Sequence, residues 1–240
     1  MIIYGKNSFK ESVSAGIKIQ EVFVQNGLQS EDTKYIDNWS KSAGIKITTI
    51  SKQELDKKSN FGKHQGIVAI VEDFQYSDLD EVVDSVKLSG KQLFLCLLDG
   101  IEDPHNLGSI IRSAECAGVQ AIVLEKQRAC DINATVMKVS AGALNYVKIV
   151  KVTNMVQTIE KLKKTGVWVY ACELGGQSIY NTDLTGDIAI VIGSEGKGVG
   201  RLVKENCDIV FSLPMKGNVN SLNASNAAAI TFYEAIRQRD

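Results

Sequence analysis

The chain has 240 residues, 44% of them hydrophobic and 23% charged, with a formal net charge of −1. That length allows one or two domains with a full core, and the composition is ordinary for a globular protein. No apolar run approaches the ~18 to 20 residues of a membrane span, MIIYGKNSFKE is too poor in apolar residues for a signal peptide, and there is no basic excess of the kind many nucleic-acid-binding proteins carry.

A cytoplasmic protein is therefore expected, and composition alone leans away from RNA or DNA. Contacts with phosphate would have to come from local clusters, Lys57, Lys58 and Lys63 with His64, or Lys197, Arg201 and Lys204, each of which also reads as a solvated face. Cys96, Cys116, Cys130, Cys172 and Cys207 are odd in number, widely spaced and mostly within apolar runs. They read as reduced core thiols, with neither a disulfide framework nor a metal site.

Up to residue 75 the chain alternates short pieces: a helix predicted over 7–15, a strand KIQEVFV, a helix over 31–43 ending at Gly44, a strand IKITTI, a short helix after Ser51 and a strand GIVAIVE. Residues 1–75 thus form a small α/β unit. DFQYSDLDEVVDSVKLSGKQ is acidic and polar with a weak helical period, so residues 76–91 read as a linker. From 92 to 240 the apolar runs lengthen into LFLCLL, QAIVLE, NYVKIV, VWVYAC, DIAIVIG and DIVFSL, spaced by helical segments. That is the pattern of a parallel sheet covered on both faces, and the fold class is α/β.

Ligands of such sheets bind beyond the carboxyl ends of the strands. Three loops in that position stand out, DGIEDPHNLG, GSEGKGVG and PMKGNVNSLNAS, and they hold the only two prolines, Pro104 and Pro214. The first opens an amphipathic helix with Leu107, Ile110, Ile111 and Ala114 on one face and Arg112 off it, over Gly108 and Ser109. The bland reading of Arg112 is an ion pair with Glu115. The second loop has glycines at 193, 196, 198 and 200, which fit neither G-x-G-x-x-G nor the P-loop. Glu195 among them repels phosphate and suits a cationic or amine-bearing ligand.

The third loop leads into a helix predicted to begin near Ser221, with Leu222, Ala228 or Ala229, Phe232 and Ile236 as its packed face. Ser221 reads as its N-cap and Asn223 as a first-turn residue. Five Asn or Ser between Asn218 and Ser225 exceed what capping needs.

Taken in order, DPHNLGSIIRSAECAG, IVIGSEGKGVGRLV and LPMKGNVNSLNASNAAAITFYEAIRQR resemble the three motifs of the TrmH (SpoU) family of RNA ribose 2'-O-methyltransferases, in the SPOUT superfamily. YGKNSFKES and FGKHQGIVA are similar to the small substrate-binding domain of members that methylate a guanosine in the peptidyl-transferase region of large-subunit rRNA. The resemblance implies S-adenosylmethionine as cofactor, an RNA substrate, a homodimer, and a SPOUT-type parallel sheet with a C-terminal trefoil knot. Spacing alone suggests an unknotted sheet.

The same resemblance assigns Asn106, Arg112, Glu195, Ser221 and Asn223 to catalysis and substrate positioning. It puts Gly193, Leu213 and Leu222 in the cofactor pocket with Met215 nearby. His105 receives no catalytic role, and His64 is the better candidate for RNA contact through the small domain. The implied function is 2'-O-methylation of a guanosine of large-subunit rRNA. Two alternatives are the same chemistry on tRNA and an RNA-binding assembly factor that keeps the fold without transferring methyl groups.

In that reaction a ribose hydroxyl attacks the methyl carbon of a sulfonium in line with the leaving sulfur and loses its proton, so the protein contributes chiefly by positioning. Arg112 stays protonated in nearly any setting, which favours polarising and holding over proton acceptance.

Overall fold

Residues 2–14, 16–28, 31–219 and 221–239 are described by a computed structural model. They fall into two units, Met1–Gln75 with Asn133–Lys138, and Tyr76–Ile132 with Val139–Asp240.

The smaller unit runs β1 (Ile2–Tyr4), α1 (Lys6–Ser14), β2 (Ile19–Gln25), α2 (Glu31–Ala43), β3 (Ile47–Ile50), α3 (Lys52–Lys58) and β4 (Ile67–Val71). Its sheet has the order β1-β4-β2-β3, with β2 and β3 parallel and β4 antiparallel to both neighbours. Phe9 of α1 and Ile36 of α2 pack with Val22, Ile67 and Ala69, and Phe9 meets Trp39 edge-on at 5.2 Å. Ala134 and Met137, from a later helix, join the same apolar cluster.

On the other side of the sheet Leu55 packs with Phe23 and Val68. Helix α3 starts where Ser51 and Glu54 form a reciprocal capping box. Strand β1 is absent from the sequence reading because three residues, with only Ile3 buried, are too few to register a period.

His64 is buried, at 6% exposure, which removes it as a direct RNA contact. Its Nδ1 accepts from the Gly66 N–H at 2.9 Å, so Nε2 carries the proton and donates to Asp56 Oδ1, also at 2.9 Å. The histidine fixes a loop.

The larger unit runs α4 (Leu79–Leu88), β5 (Phe94–Asp99), α5 (Pro104–Cys116), β6 (Ala121–Glu125), α6 (Ala134–Val139), β7 (Lys148–Val152), α7 (Met155–Lys164), β8 (Trp168–Ser178), β9 (Ile188–Gly193), α8 (Arg201–Asn206), β10 (Ile209–Ser212) and α9 (Ala224–Arg239), with Asn133–Lys138, which holds all of α6 but its last residue, counted in the smaller unit. Six strands lie parallel in the order β10-β8-β9-β5-β6-β7. Every residue of β5 is buried, as a central parallel strand requires. Its Leu95 and Leu97 pack with Leu79, Val82, Ile159 and Val203 from α4, α7 and α8. Phe94 instead meets Phe232 of α9 at 5.8 Å, and α9 packs against α5.

Residues 76–91, expected to be a linker, hold α4. Asp78 caps it by accepting from the Asp80 and Glu81 N–H groups, and Leu79, Val82 and Val83 are buried. The sequence hid this helix because its exposed face is almost wholly acidic and polar. Among the described residues no helix is long and apolar enough to cross a membrane.

All five cysteines are free, but only Cys96 is fully buried, and Cys116 is exposed. Burial pushes the Cys172 thiol up to about 11. Below pH ~9, the ordinary thiol range, this contribution to stability is fully present. Between there and about 11 the unfolded chain has lost a proton that the native state keeps, so stability falls as pH rises. Urea midpoints measured across that window should drop less in Cys172→Ala than in the wild type.

Candidate active site

Helix α5 begins at Asp103, whose carboxylate accepts from the His105 and Asn106 N–H groups, with Pro104 in the first turn. Leu107, Gly108, Ile110, Ile111 and Ala114 are buried, which rolls the helix so that Asn106 and Arg112 stay outside the core. Asn106 thereby stands at the carboxyl end of the sheet.

The glycine-rich loop after β9 folds tightly back on itself, with Gly198 N–H donating to the Ser194 carbonyl at 2.9 Å. A Cβ on Gly193 would fall 2.1 Å from the Gly198 carbonyl carbon, so only glycine fits there. Gly198 combines φ of +63° with Glu173 Oε2 at 2.2 Å from where a Cβ would be. Two carboxylates hold the loop from outside: Glu173 Oε2 accepts from Val199 N–H at 2.7 Å and Asp99 Oδ2 from Gly200 N–H at 2.7 Å.

Asp99 is 4% exposed, and its other oxygen lies 4.0 Å from Arg128, a non-glycine residue at φ +64° that also pairs with Glu125. The sequence reading missed Asp99 and Glu173. Asp99 leaves one usable signal, a lone acid closing an unbroken apolar run.

Helix α9 starts at Ala224 rather than near Ser221, and Asn223 is its cap. Asn223 Oδ1 accepts from Ser225 N–H at 2.9 Å, from Ser225 Oγ at 2.6 Å and from Asn226 N–H at 3.4 Å. Ser221 and Leu222 precede the helix, and the packed face is Ala224, Ala228, Thr231, Phe232 and Ala235, with Ile236 half-buried. Asn220 lies outside the described residues.

The three loops meet. Asn106 Nδ2 donates to Glu195 Oε1 at 3.1 Å, Asn223 Nδ2 donates to Asn106 Oδ1 at 2.9 Å, and Asn223 Nδ2 also bonds Glu195 Oε1. One residue from each sequence block thus closes a polar triangle. Beside it lies a cleft of about 350 Å³ whose walls include Gly193, Glu195, Leu213, Met215, Ser221 and Leu222.

Arg112 neither lines that cleft nor bonds to the triangle; it is exposed and makes no ion pair with Glu115 among the described residues. Of the second basic cluster, Lys197 lines the cleft, whereas Arg201 pairs with Glu205 at 3.0 Å. Cys172 also lines the cleft but is held as a thiol, so it offers no nucleophile near neutral pH.

Asn223 serves both the helix and the triangle, and substitution separates the two duties. Asn223→Ala should cost about 1 kcal/mol of stability through the lost cap. Asn223→Asp retains a capping oxygen while setting a second carboxylate against Glu195. Its melting temperature should stay nearer the wild type than that of the alanine variant, while the function of the cleft is lost in both.

Fold and cleft together define an α/β protein with a cleft of small-ligand size at the carboxyl ends of a parallel sheet. The sequence profile of the SpoU rRNA methylase family matches residues 92–233, and that of the RNA 2'-O ribose methyltransferase substrate-binding domain matches residues 2–77. A Staphylococcus haemolyticus protein named for the TrmH family of tRNA/rRNA methyltransferases is 39% identical, over 100% of this chain and 96% of its own. The SpoU methyltransferase AviRb from Streptomyces viridochromogenes, solved in complex with AdoMet, superposes with a TM-score of 0.65 at 23% identity, covering 99% of this chain and 90% of that one. The A. aeolicus TrmH/SpoU tRNA modifying enzyme gives 0.56 at 28% identity, over 62% of this chain and 76% of that one.

The chain belongs to the SpoU rRNA methylase family. Membership outweighs the charge argument against RNA, since a net charge of −1 says nothing about where the cations sit.

Proposed function

We propose that this chain transfers the methyl group of S-adenosylmethionine to a ribose 2'-hydroxyl in RNA, the target being a guanosine of large-subunit rRNA. The observation that carries this reading is the Asn106–Glu195–Asn223 triangle at the cleft walled by Gly193, Leu213, Met215 and Leu222.

The cleft suits the cofactor. Ile192, Leu213, Met215 and Leu222 offer apolar surface for an adenine, and the glycine loop brings backbone close. Glu195 supplies a carboxylate among the cleft walls that suits a cation. When bound, S-adenosylmethionine supplies an electrophilic methyl carbon on a sulfonium.

The chain's own residues then hold the attacking ribose. Asn106 and Asn223 spend amide hydrogens on Glu195 and one another, which fixes the carboxylate and leaves its second oxygen unpaired among the described residues. In this reading Ser221, on the cleft wall, adds a hydroxyl to the site. Arg112, exposed and unpaired among the described residues, holds an RNA phosphate or polarises the 2'-hydroxyl while staying charged.

The protein acts in the cytoplasm as a homodimer, supported by Ile230 and Tyr233, one turn apart on α9 and 43% and 56% exposed. The C-terminal segment around the cleft carries the trefoil knot. Residues 1–75 serve as the RNA-binding domain, residues 92–240 as the methyltransferase domain.

The SpoU rRNA methylase profile that matches residues 92–233 supports rRNA as the substrate. Incubation with methyl-labelled cofactor and separated RNA fractions tests the proposal. Label in large-subunit rRNA is the expected result, label in tRNA moves the substrate, and label in neither overturns the enzymatic reading in favour of a binding factor.

A further inference from the structure

We infer that the loop between α3 and β4 is a stacking site for an unpaired base of the RNA substrate, with Phe61 as its platform; this rests on the RNA substrate of the proposed function. Phe61 is 78% exposed, and at φ +60° it occupies a backbone region that bulky side chains rarely enter, directly after Asn60 at φ +50°. An exposed aromatic displayed from a strained backbone persists only where its surroundings enforce it, and such positions cluster at ligand sites.

The surroundings do enforce it. Phe61 N–H donates to the Asp56 carbonyl at 2.7 Å and Gly62 N–H to the Ser59 carbonyl at 3.1 Å. Gly62 packs closely against Tyr4, where a Cβ would fall 2.5 Å from Cζ. His64 clasps Asp56 on one side and Gly66 on the other. The backbone that carries the ring is therefore held in place by its own hydrogen bonds, which lowers the ordering cost of binding.

Charge identifies the ligand. Lys57, Lys58 and Lys63 are exposed beside the loop, Lys58 with its ammonium 3.9 Å from the Phe23 ring centroid, whereas the two acids of the same stretch are hydrogen-bonded, Glu54 to Ser51 and Asp56 to His64. An open aromatic face among lysines fits a base on a phosphate backbone, and it fits a single strand, because a base inside a duplex has no free face to offer.

The test is fluorescence anisotropy of the full chain with single-stranded oligoadenylate of roughly 12 nucleotides and a duplex of equal length, beside methyl transfer to rRNA. The single strand should bind tighter than the duplex. Phe61→Ala should weaken single-strand binding about 10-fold and lower kcat/KM on rRNA chiefly through KM, with S-adenosylmethionine binding unchanged; Phe61→Trp should restore both.

The assignment is overturned if the wild type shows no single-strand binding, or if the alanine variant binds as the wild type does. It is overturned equally if Phe61→Ala alters only self-association, which would make the surface a protein contact. Phe61-dependent binding without methyl transfer by the wild type would sink the proposed function and leave this inference standing.

Discussion

Replacing Arg112 by alanine is expected to slow methyl transfer at least ~100-fold while S-adenosylmethionine binds within about twofold of the wild type. The separation follows from where the side chain stands. Arg112 is exposed on α5, six positions beyond Asn106, and among the described residues it makes neither an ion pair nor a contact with the cleft. Its removal should therefore change stability by no more than about 0.5 kcal/mol, as for an ordinary surface substitution. Arg112→Lys keeps the charge without the planar fork and should fall between the two. Single-turnover kinetics and calorimetric cofactor binding read the two quantities apart, and undiminished turnover in the alanine variant removes Arg112 from the mechanism.

Gly193→Ala is expected to have the larger effect on the cofactor. The added methyl would lie 2.1 Å from the Gly198 carbonyl carbon and 2.3 Å from the Val199 nitrogen, both backbone atoms that cannot swing aside. The Val199 and Gly200 N–H groups are anchored on Glu173 and Asp99, so the loop must move as a whole or break those bonds. Overpacking of this kind costs about 1 to 3 kcal/mol. Because the displaced segment carries Glu195 and one wall of the cleft, S-adenosylmethionine affinity should fall by ~10-fold or more while the circular dichroism spectrum stays native. Calorimetric titration giving wild-type affinity would show that the loop does not line the cofactor site.

The strands of the larger unit were legible because each carries an apolar run, and the candidate site was legible through the resemblance of three separated blocks to the SpoU motifs, each block supplying one residue of the triangle. What stayed hidden was hidden for physical reasons. Helix α4 buries only Leu79, Val82 and Val83, so its acidic exposed face dominates the sequence. Strand β8 continues to Ser178 through ELGGQS, which reads as loop, because Gly176 lets β10 come close enough that a Cβ would touch the Val210 carbonyl oxygen at 2.5 Å. The pairing register shifts at the same place, between Val210 and Phe211. Asp99 and Glu173 hold the backbone of a distant loop, and only Asp99, a lone acid closing an apolar run, leaves a local mark. The start of α9 was misplaced because Ser221 and Asn223 are both good caps, and only the geometry of Asn223 distinguishes them.

The double duty of Asn223 couples the chemistry of the cleft to the fraying of one helix. Each time the first turn of α9 melts, the oxygen that receives the Ser225 and Asn226 amides lets go. The carboxamide that steadies Asn106 and Glu195 drifts with it. Under the proposed function the triangle is complete only while that turn is wound, so variants in which those two amides exchange faster with solvent should lose methyl transfer in step.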